Sequence, residues 1–132
     1  LHPDAVVIAG DIYDKPVPSA EAVTLFDDFL TRLAKIRPQI PVMIISGNHD
    51  SADRLRYAAG ILKEEKIYLA GSVPQKEEEH IEKVALKDEW GEVNFFLLPF
   101  LKPAYVRRLF EENPPETYSD AVNRLIKREN IN

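Results

Sequence analysis

Apolar residues in the first half of the chain fall into short continuous runs separated by stretches of helical spacing. Ala5 to Ala9 is apolar and β-branched without a polar break, the pattern of a strand buried on both faces. A loop with Pro16 and Pro18 follows, and Ser19 is placed to cap a helix with Glu21 in its first turn. Ala22, Val23, Phe26, Phe29, Leu30 and Leu33 then recur at helical spacing to about Ile36. Pro38 and Pro41 end that helix and lead into a second run, Val42-Met43-Ile44-Ile45. Asp50 or Ser51 can cap a second helix running to about Glu65, with Leu55, Ala58, Ala59 and Leu62 on its apolar face. Ile67 to Ala70 is a third short strand. Alternation of strand and helix predicts parallel pairing with right-handed crossovers, an α/β class.

The pattern changes at Gly71. Ser72 to His80, with Glu77, Glu78 and Glu79 in succession, is an exposed loop. Ile81 to Leu86 and Glu92 to Leu98 form two strands joined at Asp88-Glu89-Trp90-Gly91, a hairpin signal, with Trp90 expected to pack on the hairpin. Val93-Asn94-Phe95-Phe96-Leu97-Leu98 is apolar enough for a central strand of a second sheet. Pro99 and Pro103 bracket a connection, after which Ala104 to Glu112 and Ser119 to Arg128 have amphipathic helical spacing, separated by Pro114-Pro115.

Composition narrows the class without naming a function. With 132 residues, 45% hydrophobic and 30% charged, the chain has the make-up of an ordinary soluble globular domain. No apolar run approaches the length of a membrane span, and no signal peptide is visible. Cysteine is absent, which excludes disulfides and thiolate metal sites and fits a cytoplasmic location. The net charge of −5 lacks the basic footprint of a freestanding nucleic-acid binder. It leaves open a DNA-processing site whose divalent metals bring the positive charge themselves.

Candidate chemistry sits where the first two strands end. Gly10-Asp11-Ile12-Tyr13-Asp14 follows the first run, and Ser46-Gly47-Asn48-His49-Asp50 follows the second. Parallel pairing brings a carboxylate, an amide oxygen and an imidazole to one sheet edge, the place where open α/β sheets bind ligands. Asp11 can bridge two divalent cations, one on each oxygen, or be a turn aspartate. Asn48 offers a hard amide oxygen suited to Mn²⁺ or Mg²⁺, or is a turn asparagine accepting positive φ. Asp14 is otherwise a surface loop carboxylate, and Asp50 is explained by helix capping alone. Tyr13 either lines a substrate cleft or covers the strand end. His2 and His80 show no ligand context.

The pairing of GD-x-x-D with GNHD resembles the signature of the calcineurin-like metallophosphoesterases, a two-metal phosphoester-hydrolysing superfamily. Within it, Ala9 to Ala22, Ile45 to Leu55 and Leu98 to Arg107 resemble the SbcD branch of nuclease subunits. The resemblance implies a four-layer α-β-β-α fold with stacked mixed sheets flanked by helices, of which residues 1–132 would be part. It implies two divalent metal ions, Mn²⁺ first and Mg²⁺ as the alternative, with Asp11 and Asn48 as ligands. It gives His49 the scissile phosphate to contact, and Asp14 the task of orienting that imidazole. It further implies DNA as substrate, an SbcC-type ATPase as partner, a homodimer within a heterotetramer, no membrane, and work in DNA repair and recombination.

Two family features do not occur in the chain: an Asp-x-His ligand pair on an earlier strand, and later histidines including Gly-His-x-His. The expectation is therefore an internal fragment that by itself binds Mn²⁺ weakly and does not cleave DNA. The alternatives are a phosphatase or cyclic-nucleotide phosphodiesterase of the same superfamily, or a non-catalytic scaffold segment.

Overall fold

A computed structural model describes residues 3–56 and 59–131, except for the side chains of 56 and 59–61. His2 and Ala58 lie outside the described residues. The chain divides into two compact units, with the boundary between Gly71 and Ser72, where the composition changes.

In the first unit, strands β1 (Val6–Ala9), β2 (Val42–Ile45) and β3 (Ile67–Ala70) form a parallel sheet in that order. Val6 pairs with Val42 and Val42 with Ile67, while Ala9, Ile45 and Ala70 end level with one another. All three strands thus deliver their following loops to one edge. Helix α1 (Ala20–Ala34) starts where Ser19 Oγ accepts the Ala22 amide at 3.2 Å. It lays Phe26, Leu30, Leu33 and Ala34 on a core built from Val42, Ile44, Leu55, Ile67 and Leu69. Two helical segments, α2 (Ala52–Arg56) and α3 (Ala59–Glu64), lead into β3, and Leu62 joins the same core.

In the second unit, β4 (Glu82–Lys87) and β5 (Glu92–Leu97) pair antiparallel, Lys87 opposite Glu92. Asp88 closes the hairpin: its carboxylate accepts the Trp90 and Gly91 amides at 2.7 and 2.9 Å. A 3-10 helix (Pro103–Phe110) and α4 (Tyr118–Arg128) contribute Val106, Ala121 and Leu125, all fully buried, to a core with Val73, Ile81 and Leu101. The Thr117 hydroxyl caps α4 by accepting the Asp120 amide at 3.1 Å. No helix among the described residues is long and apolar enough to cross a membrane.

The fold is the expected α/β class, with a parallel and an antiparallel sheet and flanking helices, and several local expectations need correction. β2 is buried on both faces, but β1 alternates, and Val7 is 59% exposed because β1 is an edge strand of its sheet. Val23 and Phe29 lie outside the buried face of α1. Trp90 projects from the hairpin turn at 88% exposure instead of packing on the strands. β5 belongs to a two-stranded sheet among the described residues and is no central strand. Residues 103–110 form a 3-10 helix whose opening Tyr105 amide reaches back three residues to the Lys102 carbonyl, with no side-chain cap at Lys102.

Candidate functional site

The β1 and β2 ladders stop at Ala9 and Ile45, and the two loops that follow would separate without further ties. Gly10 is at φ 88°, a left-handed turn open to glycine without steric cost. Its missing side chain matters as well, because a Cβ there would lie 3.0 Å from the Gly47 Cα. Gly47 is packed harder still: a Cβ on it would overlap the Asp11 backbone nitrogen and Oδ1 and lie 2.9 Å from Cγ. The two glycines let the loops press backbone against backbone.

That approach brings Asp11 and His49 together. The Asp11 carboxylate accepts the His49 amide at 3.3 Å through Oδ1, and its Oδ2 faces His49 Nδ1 at 3.5 Å. Both side chains are about half exposed, at 50% and 55%, so they can meet a substrate. Asn48 is exposed on the same loop. Asp11 itself is at φ 46°, in the left-handed region that aspartate tolerates better than most residues. The positive φ that the alternative reading of Asn48 as a turn residue would have needed is at Asp11, and Asn48 does not have it.

Asp14 is exposed and makes no hydrogen bond or ion pair among the described residues, and it is Asp11 that faces the His49 ring. Tyr13 covers the strand end. Its ring meets Phe26 edge-on at 5.8 Å and packs on the core. Burial raises its phenol pKa above the ordinary value, and the charges of Asp50 and Asp27 raise it further. His80 pairs with Glu129 at 3.1 Å in the second unit, in keeping with a structural role.

Asp50 is the residue sequence reasoning passed over. Its carboxylate does not cap the helix that begins at Ala52. Instead Oδ2 accepts the amides of Gly47 at 2.7 Å and Ile12 at 3.1 Å, and Oδ1 accepts that of Tyr13 at 2.9 Å. Nearby Ser46, buried at the end of β2, donates its hydroxyl to the Gly71 carbonyl at 2.8 Å. An acidic residue directly after Asn-His and just before a helix looks like a cap, and nothing local reveals partners 37 and 38 residues away.

The donor chemistry suits divalent cations in kind and falls short in number. Asp11 and Asn48 are hard oxygen donors, whereas Mn²⁺ or Mg²⁺ takes about six oxygen or nitrogen ligands. Among the described residues no three His, Cys, Asp or Glu side chains gather as a metal cluster.

Residues 1–127 match the sequence profile of the calcineurin-like phosphoesterases. The chain is also similar to the SbcD component of the SbcCD nuclease of Staphylococcus epidermidis, 34% identical over 127 residues. That alignment covers 96% of the chain and 32% of the relative, so the chain spans about a third of the length of the curated relative it matches.

Proposed function

The chain belongs to the calcineurin-like phosphoesterase family, and from that premise we propose that its β1 and β2 loops form part of the catalytic edge of a metal-dependent DNA nuclease. The observation that carries the reading is the pairing of Asp11 with His49 across two loops joined glycine to glycine, with Asn48 on the same rim. Similarity to a nuclease component along nearly the whole chain supports DNA as the substrate over small phosphoesters.

Asp11 would hold metal through both carboxylate oxygens and Asn48 through its amide oxygen. Bound there, divalent ions supply positive charge to the phosphate and lower the pKa of a water molecule. His49 has its Nδ1 toward Asp11, which leaves Nε2 to stabilise charge on the phosphate or deliver a proton to the leaving oxygen. Asp14 is the next carboxylate on the loop. With the Asp11 oxygens given to metal, Asp14 would be the carboxylate that orients the imidazole, the role the family resemblance gives it. The remaining ligands would come from outside this segment, and the isolated 132 residues would bind Mn²⁺ weakly and leave DNA intact. In the intact protein the reading extends to a dimer working with an SbcC-type ATPase on DNA ends in repair and recombination, Mn²⁺ being the ion, in the cytoplasm.

The test is an assay of the intact protein with Mn²⁺ on linear duplex DNA and on a small phosphodiester. Cleavage of DNA is expected. Hydrolysis of the small ester with no action on DNA would replace the nuclease by a phosphatase or cyclic-nucleotide phosphodiesterase.

A further inference from the structure

We infer that Asp50 is a positioning residue that aims Asp11 and Asn48 by binding the two loops into one rigid edge, an inference that rests on the reading of those two residues as metal ligands. Beyond Ala9 and Ile45, backbone pairing no longer joins the two loops among the described residues, while the Ser46 amide continues the β2–β3 ladder to the Ala70 carbonyl. The Asp50 carboxylate takes the place of the ladder. It reaches one amide in its own loop, Gly47, and two in the opposite loop, Ile12 and Tyr13.

The Ile12 and Tyr13 amides are the two that follow Asp11. Holding both fixes the chain just beyond a residue in the left-handed region, where a non-glycine conformation persists only if its surroundings enforce it. The direction of the Asp11 carboxylate is thereby set from Asp50. Gly47 immediately precedes Asn48, so the third hydrogen bond anchors the other proposed ligand. The other hydrogen bond across the loops, from the His49 amide to Asp11 Oδ1, is the longest of those three at 3.3 Å and uses an oxygen that metal would claim. Among the described residues, the Asp50 bonds to Ile12 and Tyr13 are the hydrogen bonds across the loops that use no Asp11 oxygen.

The geometry also sets what can replace it. Asparagine keeps the shape but puts an NH₂ donor where an oxygen met a backbone N–H. Glutamate keeps both oxygens on a longer stem.

The experiment measures Mn²⁺ binding calorimetrically, with thermal stability alongside, for the intact protein and its Asp50→Asn and Asp50→Glu variants. Asp50→Asn is expected to weaken Mn²⁺ binding by about 10- to 100-fold, the scale of losing a group that orients a metal ligand, with Asp50→Glu restoring much of it. A folded Asp50→Asn that binds Mn²⁺ as tightly as wild type overturns the inference, whatever its melting temperature. Should Asp50→Asn fail to fold, hydrogen exchange in wild type decides. Slower exchange of the Ile12, Tyr13 and Gly47 amides on adding Mn²⁺ supports the coupling, and unchanged exchange overturns it. Wild-type protein that takes up no Mn²⁺ at all overturns the proposed function itself, a result distinct from equal binding by wild type and variant.

Discussion

Replacing Gly47 by alanine adds one methyl group at the tightest point of the molecule's candidate site. The new Cβ would lie 2.9 Å from Asp11 Cγ, with the Asp11 nitrogen and Oδ1 nearer still. Carbon atoms in good contact sit about 3.5–4.0 Å apart, so the loops must part by something near 1 Å. Rotating the Asp11 side chain does not relieve the overlap, because the backbone nitrogen collides too. The stretch just after it is tied to Asp50 by the Ile12 and Tyr13 hydrogen bonds. Overpacking of this kind costs about 1–3 kcal/mol of stability. A displacement near 1 Å of a group that holds reacting atoms costs about 10²-fold in rate. Gly91→Ala is the comparison: at φ 140° it is strained by about 1–3 kcal/mol, yet nothing lies within 4 Å and it sits in the hairpin turn of the other unit. Melting temperature and Mn²⁺-dependent DNA cleavage, measured on both variants of the intact protein, separate the effects. Both should melt lower, and only Gly47→Ala should lose about 10²-fold in cleavage. Wild-type cleavage by Gly47→Ala would refute the close packing of the two loops as a catalytic requirement.

Three further substitutions have outcomes set by the same structure. Tyr13 is harder to ionise in the folded protein, so its contribution to stability is whole below about pH 10 and is lost as pH rises through its raised folded value. Tyr13→Phe should therefore soften the fall in stability above about pH 10, measured by urea denaturation across that range, and an unaltered fall would contradict the burial of the phenol. In the second unit Leu125 is fully buried, and Leu125→Ala should cost about 2–5 kcal/mol. Leu25→Ala, at a position 72% exposed on α1, should stay within about 0.5 kcal/mol of wild type by the same denaturation assay.

What could be read in advance was what local spacing encodes. The bounds of β3 coincide with the expected Ile67 to Ala70, Ser19 caps α1, and the hairpin turns at Asp88 to Gly91. The placement of Asp11, Asn48 and His49 at one edge followed from two apolar runs each ending in a glycine and polar residues. The features not legible depend on partners distant in sequence. Asp50 resembles a helix cap because its neighbours are a glycine loop and a helix, while its carboxylate serves amides across the sheet edge. Asp14 lies three residues past Asp11 and is exposed, while the ring of His49 meets Asp11. Val7 and Trp90 look like core residues by type alone. Their exposure is set by an edge strand and a turn tip, which hydrophobicity does not report.

The proposed nuclease reading has the rim formed by Asp11, Asn48 and His49 cleave phosphodiesters with divalent metal. Its most direct measurement is the rate of Mn²⁺-dependent cleavage of linear duplex DNA by the intact protein and by its Asp11→Ala variant, with folding verified by circular dichroism. A loss of at least about 10²-fold is expected on removing Asp11, the scale of losing a preorganised electrostatic group. Cleavage by a folded Asp11→Ala at the wild-type rate would contradict the account.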